Sequence, residues 1–207
     1  MIKLYSWSTP NGRKVSIMLE ELGVKYSVIP INISKDEQFN KEFQQISPTN
    51  KIPAIVDSEN NQYVFESGSI LLYLAKKYNN FFNFHKEWET YSWLMYQMSE
   101  VGPFLGQAHQ FLYYNKGKSA YAEDRFRDRA KLIYNKINNH LDSNEYFIED
   151  YSIVDIAIWP WIARYERQEI NIAEYSNIKR WFNKIAKRSA VIKGYNVVGK
   201  KEEIPIF

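Results

Sequence analysis

Residues Ile2-Lys3-Leu4-Tyr5-Ser6-Trp7 alternate in side-chain character, the period-two pattern of a strand, and Ser8-Thr9-Pro10-Asn11-Gly12 stops it. From Arg13 to Leu22 the apolar positions Val15, Ile17, Met18, Leu19 and Leu22 recur at helical spacing, with Gly23 where a C-cap belongs. Tyr26 to Ile33, rich in Val and Ile, reads as a second strand. Joints this short between strand, helix and strand predict a parallel pair with a right-handed crossover. Asp36 to Ile46 is polar with Phe39, Phe43 and Ile46 on one side, which predicts a short surface helix. Ala54-Ile55-Val56-Asp57 and Gln62-Tyr63-Val64-Phe65 flank an Asn-rich turn, the signature of a hairpin. A helix follows over Ser67 to Lys77, with Ile70, Leu71, Leu74 and Tyr78 as its buried stripe.

The order βαβ-α-ββ-α predicts an α/β thioredoxin-like domain over residues 1–79. Asn79-Asn80-Phe81-Phe82-Asn83 breaks the pattern and reads as a linker. Beyond it only helical patterns occur, so residues 86–207 are expected to form an all-α C-terminal domain. One pattern runs from Lys86 to Tyr114, with interruptions expected around Gly102-Pro103 and Gly106, and another from Ala120 to Leu141. Ser152 to Ile162 is apolar almost all round and predicts a buried central helix opened by a Ser152…Asp155 capping box. Asn177 to Lys187 is amphipathic, and Gly194 to Phe207 is an aperiodic tail that can close over something.

Composition narrows the class. The 207 residues are 45% hydrophobic and 25% charged with a net charge of +3, an ordinary globular balance without a charge block for nucleic acid or an anionic membrane. Apolar runs are far shorter than a membrane span, and the chain starts at once on a strand, so a cytoplasmic protein without a targeting segment is expected. Cysteine is absent, which excludes disulfides, thiolate metal sites and a protein-borne redox thiol. His85, His109 and His140 are too scattered to predict a metal site, and an incidental role for His109 is favoured over contact with a substrate.

Three short segments can carry chemistry. Ile52-Pro53 precedes the hairpin at the point where a thioredoxin-like domain carries a cis-proline, and a cis bond there exposes the backbone of Ile52 to pairing with an extended peptide; an ordinary turn proline is the alternative. Glu66-Ser67 sets a carboxylate and a hydroxyl at a helix N-terminus. There Ser67 can donate to an incoming carboxylate and Glu66 can hold an ammonium, together an α-amino acid head group; the plainer reading is a cap and a first-turn charge. Thr9 and Asn11 open the first helix, where a hydroxyl, an amide and the helix dipole can lower the pKa of a nearby thiol; a plain helix start is the alternative. With no cysteine in the chain, any reactive sulfur must arrive with the ligand.

Taken together these segments resemble the glutathione transferases, and most closely the nu-class, the bacterial disulfide-bond oxidoreductases related to yeast nitrogen regulators. The resemblance spans nearly the whole chain. It is carried by Thr9-Pro10-Asn11-Gly12, Ser47 through Asp57, Phe65-Glu66-Ser67-Gly68, Gly102-Pro103-Phe104-Leu105-Gly106-Gln107 and Tyr151 through Ala157. It implies that glutathione, reduced or oxidised, is the bound substrate: Ile52 pairs with its cysteinyl part, Glu66 and Ser67 take the γ-glutamyl end, Gln38 orients the tripeptide, and Thr9 and Asn11 stand at the sulfur. Arg125 is implied to meet a carboxylate of a second glutathione. Trp7 stands near where the tyrosine-dependent classes carry a catalytic phenol, with Tyr5 a weaker candidate for that role. The resemblance further implies a two-fold homodimer that reduces small disulfides with two glutathiones. Conjugation of glutathione to electrophiles and a non-catalytic, glutathione-binding regulator remain the alternatives.

Overall fold

The computed structural model describes residues 1–199 and 201–207; Lys200, in the aperiodic C-terminal stretch, lies outside the described residues. The chain divides into two compact units. One comprises Met1–Phe82 with Lys187–Ile204, the other Asn83–Ala186 with Pro205–Phe207.

The first unit is a thioredoxin-like α/β fold. Strands β1 (Ile2–Ser6), β2 (Tyr26–Pro30), β3 (Ala54–Asp57) and β4 (Gln62–Phe65) form a sheet in the order β2-β1-β3-β4. The β1–β2 pair is parallel around helix α1 (Pro10–Glu21), and the other pairs are antiparallel. Alternation along β1 buries Ile2, Leu4 and Ser6 on one face, while Tyr5 on the other packs with Phe43, Ile31, Ala54 and Ile52. Helix α3 (Ser67–Tyr78) packs against α1, and its Ile70, Leu71, Leu74 and Ala75 are fully buried.

Two expectations for this unit change. The strand to Ile33 ends at Pro30, and the helix expected over Asp36 to Ile46 is divided into 3-10 turns at Ile33–Lys35 and Glu37–Phe39 and a short α2 (Lys41–Ile46). The side chain of Asn32 caps the first turn, and Asp36 between the two has φ 57°, a left-handed conformation that no continuous helix contains.

The second unit is helical: α4 (Glu87–Tyr96), α5 (Gly102–Ala108), α6 (Ala120–His140), α7 (Ile153–Ile162) and α8 (Ser176–Ala186). The interruptions expected at Gly102-Pro103 and Gly106 do not occur. A π-helical turn, Gln97–Val101, joins α4 to α5, and a second, His109–Tyr114, continues α5. Widened i→i+5 bonding, with Gly102 N–H donating to the Gln97 carbonyl, accommodates the proline. Gly106 lies against the Trp161 indole, where an added Cβ would stand 3.5 Å from the ring, an ordinary contact, and Gly102 lies against Gln97. All ten residues of α7 are buried, and its capping box of Ser152 and Asp155 is present.

The C-terminal stretch is not irregular throughout. Helix α9 (Ser189–Tyr195) packs on α1, so residues 187–204, drawn with the helical domain on sequence grounds, belong by their contacts to the thioredoxin-like unit. The union is polar as well as apolar. Arg13, 2% exposed, donates to the Tyr195 carbonyl (3.0 Å), Ser8 (3.0 Å) and Glu202 (2.6 Å), and its guanidinium lies 3.6 Å from the Tyr195 ring centroid. Arg188 pairs with both carboxylate oxygens of Glu21, and Ser16 donates to the Gly194 carbonyl at 2.6 Å. Gly194 allows the approach: a Cβ there would stand 2.6 Å from the Ile17 Cα, a backbone atom that cannot turn aside. Gly194→Ala is expected to destabilise the protein by about 1–3 kcal/mol, read as a lower midpoint in chemical denaturation.

Candidate active site

Strand register brings three distant segments to one end of the sheet. Tyr5 of β1 stands beside Ala54 of β3, and Ala54 beside Phe65 of β4. The residues next along each strand therefore leave the sheet at the same edge: Ser6 toward Thr9, Pro53 and Ile52 back from β3, and Glu66 and Ser67 after β4. The Ile52-Pro53 peptide is cis, as expected.

Thr9, with extended φ and ψ, is the N-cap of α1: its Oγ1 accepts from Gly12 N–H at 3.1 Å, and its carbonyl accepts from Arg13 N–H at 3.0 Å. Used as an acceptor by the helix, that hydroxyl retains a proton to donate outward. Asn11 is the second residue of α1, at the positive end of the dipole, and no acidic residue in the first turn offsets that charge. Gly12 cannot be replaced without moving the loop, because a Cβ would lie 2.3 Å from the Trp7 carbonyl oxygen.

Glu66 caps α3 with φ 65° and ψ 121°, outside the left-handed basin that an L-residue visits at modest cost. Such a conformation costs about 1–3 kcal/mol and persists where surrounding structure imposes it. Beside it Ser67, 5% exposed, accepts a hydrogen bond from the Lys14 ammonium at 3.2 Å. Lys14 is itself 1% exposed; burial holds its pKa well below the ordinary lysine value, and the charge of Glu66 pulls it back up.

Gln38 lies in the 3-10 turn before α2, where its side-chain amide donates to Asp36 at 3.4 Å and its carbonyl oxygen is buried without a partner among the described residues. The Asn50 side-chain oxygen, in a residue with φ 54° just ahead of Ile52, is buried and unpaired in the same sense. Each is a polar group of the kind that a ligand donor satisfies. Sequence reasoning did not single out Lys14 or Asn50. The Thr49-Asn50-Lys51 turn was a signal for the second; Lys14 left none, since nothing local marks a lysine for burial.

Arg125 belongs to the other unit. It is exposed, its Nη1 lies 3.4 Å from the Tyr121 hydroxyl, and it lines a groove of about 350 Å³ with Phe104, Phe126, Asp128, Arg129 and Leu132. His109 is buried in the same unit, stacked on Trp161 and 3.0 Å from the Gln168 amide. Burial and the nearby Arg167 and Arg164 push its pKa down to about 3, so it is a neutral part of the core, away from proton transfer. Burial also raises the pKa of Tyr5, whose ring packs against Phe43, which argues against a phenolate role there. Among the described residues no group of three or more His, Cys, Asp or Glu can hold a metal ion, and no helix is long and apolar enough to cross a membrane.

Two family models match the chain: the glutathione S-transferase N-terminal domain over residues 1–76 and its C-terminal domain over residues 93–189. The chain is 41% identical over 199 residues to the disulfide-bond oxidoreductase YfcG of Escherichia coli (strain K12), covering 92% of each chain. Two solved structures are similar throughout. A glutathione transferase from Pseudomonas putida, with one glutathione disulfide bound per subunit, superposes with a TM-score of 0.90 at 35% identity, over 96% of this chain and 92% of that one. Another from Burkholderia graminis, with two glutathione molecules bound per subunit, gives a TM-score of 0.89 at 34% identity, over 95% and 88%.

Proposed function

The chain belongs to the glutathione S-transferase family, and we propose that within it this protein is a glutathione-dependent disulfide-bond oxidoreductase that owns no reactive thiol. One observation carries the reading. The positive end of α1, with Thr9 and Asn11, leaves the sheet at the same edge as Ile52-Pro53 and Glu66-Ser67, in a chain without cysteine. The relatives with glutathione disulfide or two glutathiones bound support it.

The tripeptide is placed by its chemistry. Its γ-glutamyl carboxylate takes the Ser67 hydroxyl and the N-terminus of α3, and its ammonium takes Glu66. The cysteinyl backbone pairs with Ile52 beside Pro53, Gln38 orients the chain, and the sulfur reaches Thr9 and Asn11. Donors and a helix dipole there stabilise the thiolate; lowering its pKa from about 9 to about 7 raises the thiolate fraction at neutral pH roughly fiftyfold. That thiolate attacks a disulfide, RSSR, giving the mixed disulfide GSSR and releasing RS⁻. A second glutathione thiolate, with a carboxylate on Arg125, attacks the glutathione sulfur of GSSR; glutathione disulfide forms and the second RS⁻ leaves. The reading takes the protein as a cytoplasmic homodimer, the assembly to be checked by sedimentation.

Calorimetry should find binding of both glutathione and its disulfide, and turnover should be faster with hydroxyethyl disulfide than with chlorodinitrobenzene. The reverse preference would mean conjugation. Absence of glutathione binding would remove every enzymatic reading.

A further inference from the structure

The N-terminus of α1 is held by a C-terminal segment that the mechanism above does not use. Ser8 stands just before the cap at Thr9, and Arg13 is the fourth residue of the helix. These are the two positions that an apolar staple joins to fix the angle at which a chain enters a helix. Here the staple is polar: Arg13 Nη2 donates to the Ser8 hydroxyl at 3.0 Å. A cation so near the positive end of the dipole is unfavourable by itself. The same nitrogen also donates to Glu202 at 2.6 Å, and Nε donates to the Tyr195 carbonyl at 3.0 Å. Glu202 is in turn fixed by Asn196, whose Oδ1 accepts from the Glu202 N–H at 2.8 Å and whose Nδ2 donates to the Glu202 carbonyl at 2.9 Å. Gly199, with φ 80°, lies against the loop as well: a Cβ added there would stand 3.0 Å from the Ser8 Cβ. Docking of α9 on α1 does not call for this arrangement, since the Gly194 contact, the Ser16 bond and the Arg188–Glu21 pair already join the two helices.

We infer that Glu202, held by Asn196 and acting through Arg13, is a positioning residue for the sulfur site: it locks Ser8 and so sets the direction in which Thr9 and Asn11 offer their donors. The inference rests on the placement of the ligand sulfur proposed above and adds to it the remote segment that fixes the donors in advance. The loop transmits the constraint because it is tight. Thr9 N–H donates to the Trp7 carbonyl at 2.7 Å across Ser8, so a displaced Ser8 carries the cap and the first turn of α1 with it. Donors stabilise an anion best when they need no reorientation at the moment of reaction. Loosening them weakens the hold on the thiolate and leaves the contacts to the rest of the tripeptide as they were.

Asn196→Ala tests the role without altering a charge or a residue of α1. The pKa of bound glutathione, read by thiolate absorbance, should rise toward the solution value, and kcat for hydroxyethyl disulfide should fall about tenfold. The dissociation constant for glutathione should stay within about threefold of wild type. Glu202→Ala should behave in the same way, and Glu202→Gln, which keeps an acceptor for Arg13, should recover most of the loss. Denaturation midpoints recorded alongside separate this from a structural role: lower midpoints with kcat and thiol pKa at wild-type values would overturn the inference. A thiol pKa that falls in both Glu202 variants would overturn it too, because the carboxylate would then act by its charge and not by holding the loop. If wild-type protein fails to bind glutathione, or binds it with a thiol no more acidic than in solution, the proposed function falls first. An acidic thiol in the wild type that the variants leave unchanged removes the inference alone.

Discussion

Asp155→Ala is expected to be the most destabilising single change in the helical unit, at about 3–5 kcal/mol. Asp155 is fully buried and its two carboxylate oxygens gather four hydrogen bonds. Trp181 Nε1 donates at 2.8 Å, Phe147 N–H at 3.1 Å, Ser152 N–H at 3.0 Å and Ser152 Oγ at 3.2 Å. One side chain thus closes the N-terminus of α7, anchors α8 through Trp181 and fixes the loop at Phe147. Burial pushes the carboxyl pKa up to about 6 against the pull of these donors, so at neutral pH it remains the anion that all four need. Alanine would leave an indole N–H and backbone amides without partners in the core. Asn keeps the shape but turns an NH₂ group toward donors, so it should recover only part of the loss. Denaturant unfolding of the three proteins checks the order, and near-equal stability of wild type and Asp155→Ala would contradict the assigned role.

Asn11→Ala should lower turnover of hydroxyethyl disulfide by about 10²-fold, the usual effect of removing one preorganised donor from a developing or resident anion. The dissociation constant for glutathione should change by less than about threefold, because in the proposed placement Ile52, Glu66 and Ser67 hold the parts of the ligand that are the same in thiol and thiolate. Thr9→Ala requires more care. Its Oγ1 also accepts from Gly12 N–H at 3.1 Å, so alanine should cost about 1 kcal/mol of stability as a lost cap in addition to activity. Thr9→Ser keeps both functions and should behave nearly as wild type. Titration of bound glutathione by thiolate absorbance gives the direct readout: its pKa should rise toward the solution value in Asn11→Ala. Full turnover in both alanine variants, or affinity falling in step with turnover, would take these residues out of the chemistry.

Much of the site was legible because its signals are local. A Thr-Pro-Asn-Gly turn between a strand and a helical stripe marks a helix start, and the structure puts the cap on Thr9. Ile52-Pro53 before a hairpin strand and Glu66-Ser67 before a helix are readable in the same way, and the order of elements implies that all three meet at one sheet edge. Other features depend on atoms far away in sequence. The backbone of Glu66 at φ 65° has no mark in Phe65-Glu66-Ser67-Gly68, since a glycine-like conformation in an L-residue is imposed from outside. Gly102 and Gly106 read as helix breakers, yet the helical backbone runs on through both.

Sequence alone thus determined the two kinds of domain, the caps of α1 and α7 and the candidate segments that meet at one end of the sheet, because periodicity, capping and turn chemistry act between near neighbours. Only the tertiary structure decided that residues 187–204 complete the first unit, that Lys14 is buried beneath Ser67, and that the Lys86–Tyr114 pattern widens into π turns rather than breaking. In the first two the deciding partner is remote: the Ile17 backbone for Gly194 and the N-terminus of α3 for Lys14. Burial and desolvation belong to the packed whole, so no window of neighbouring residues can encode them.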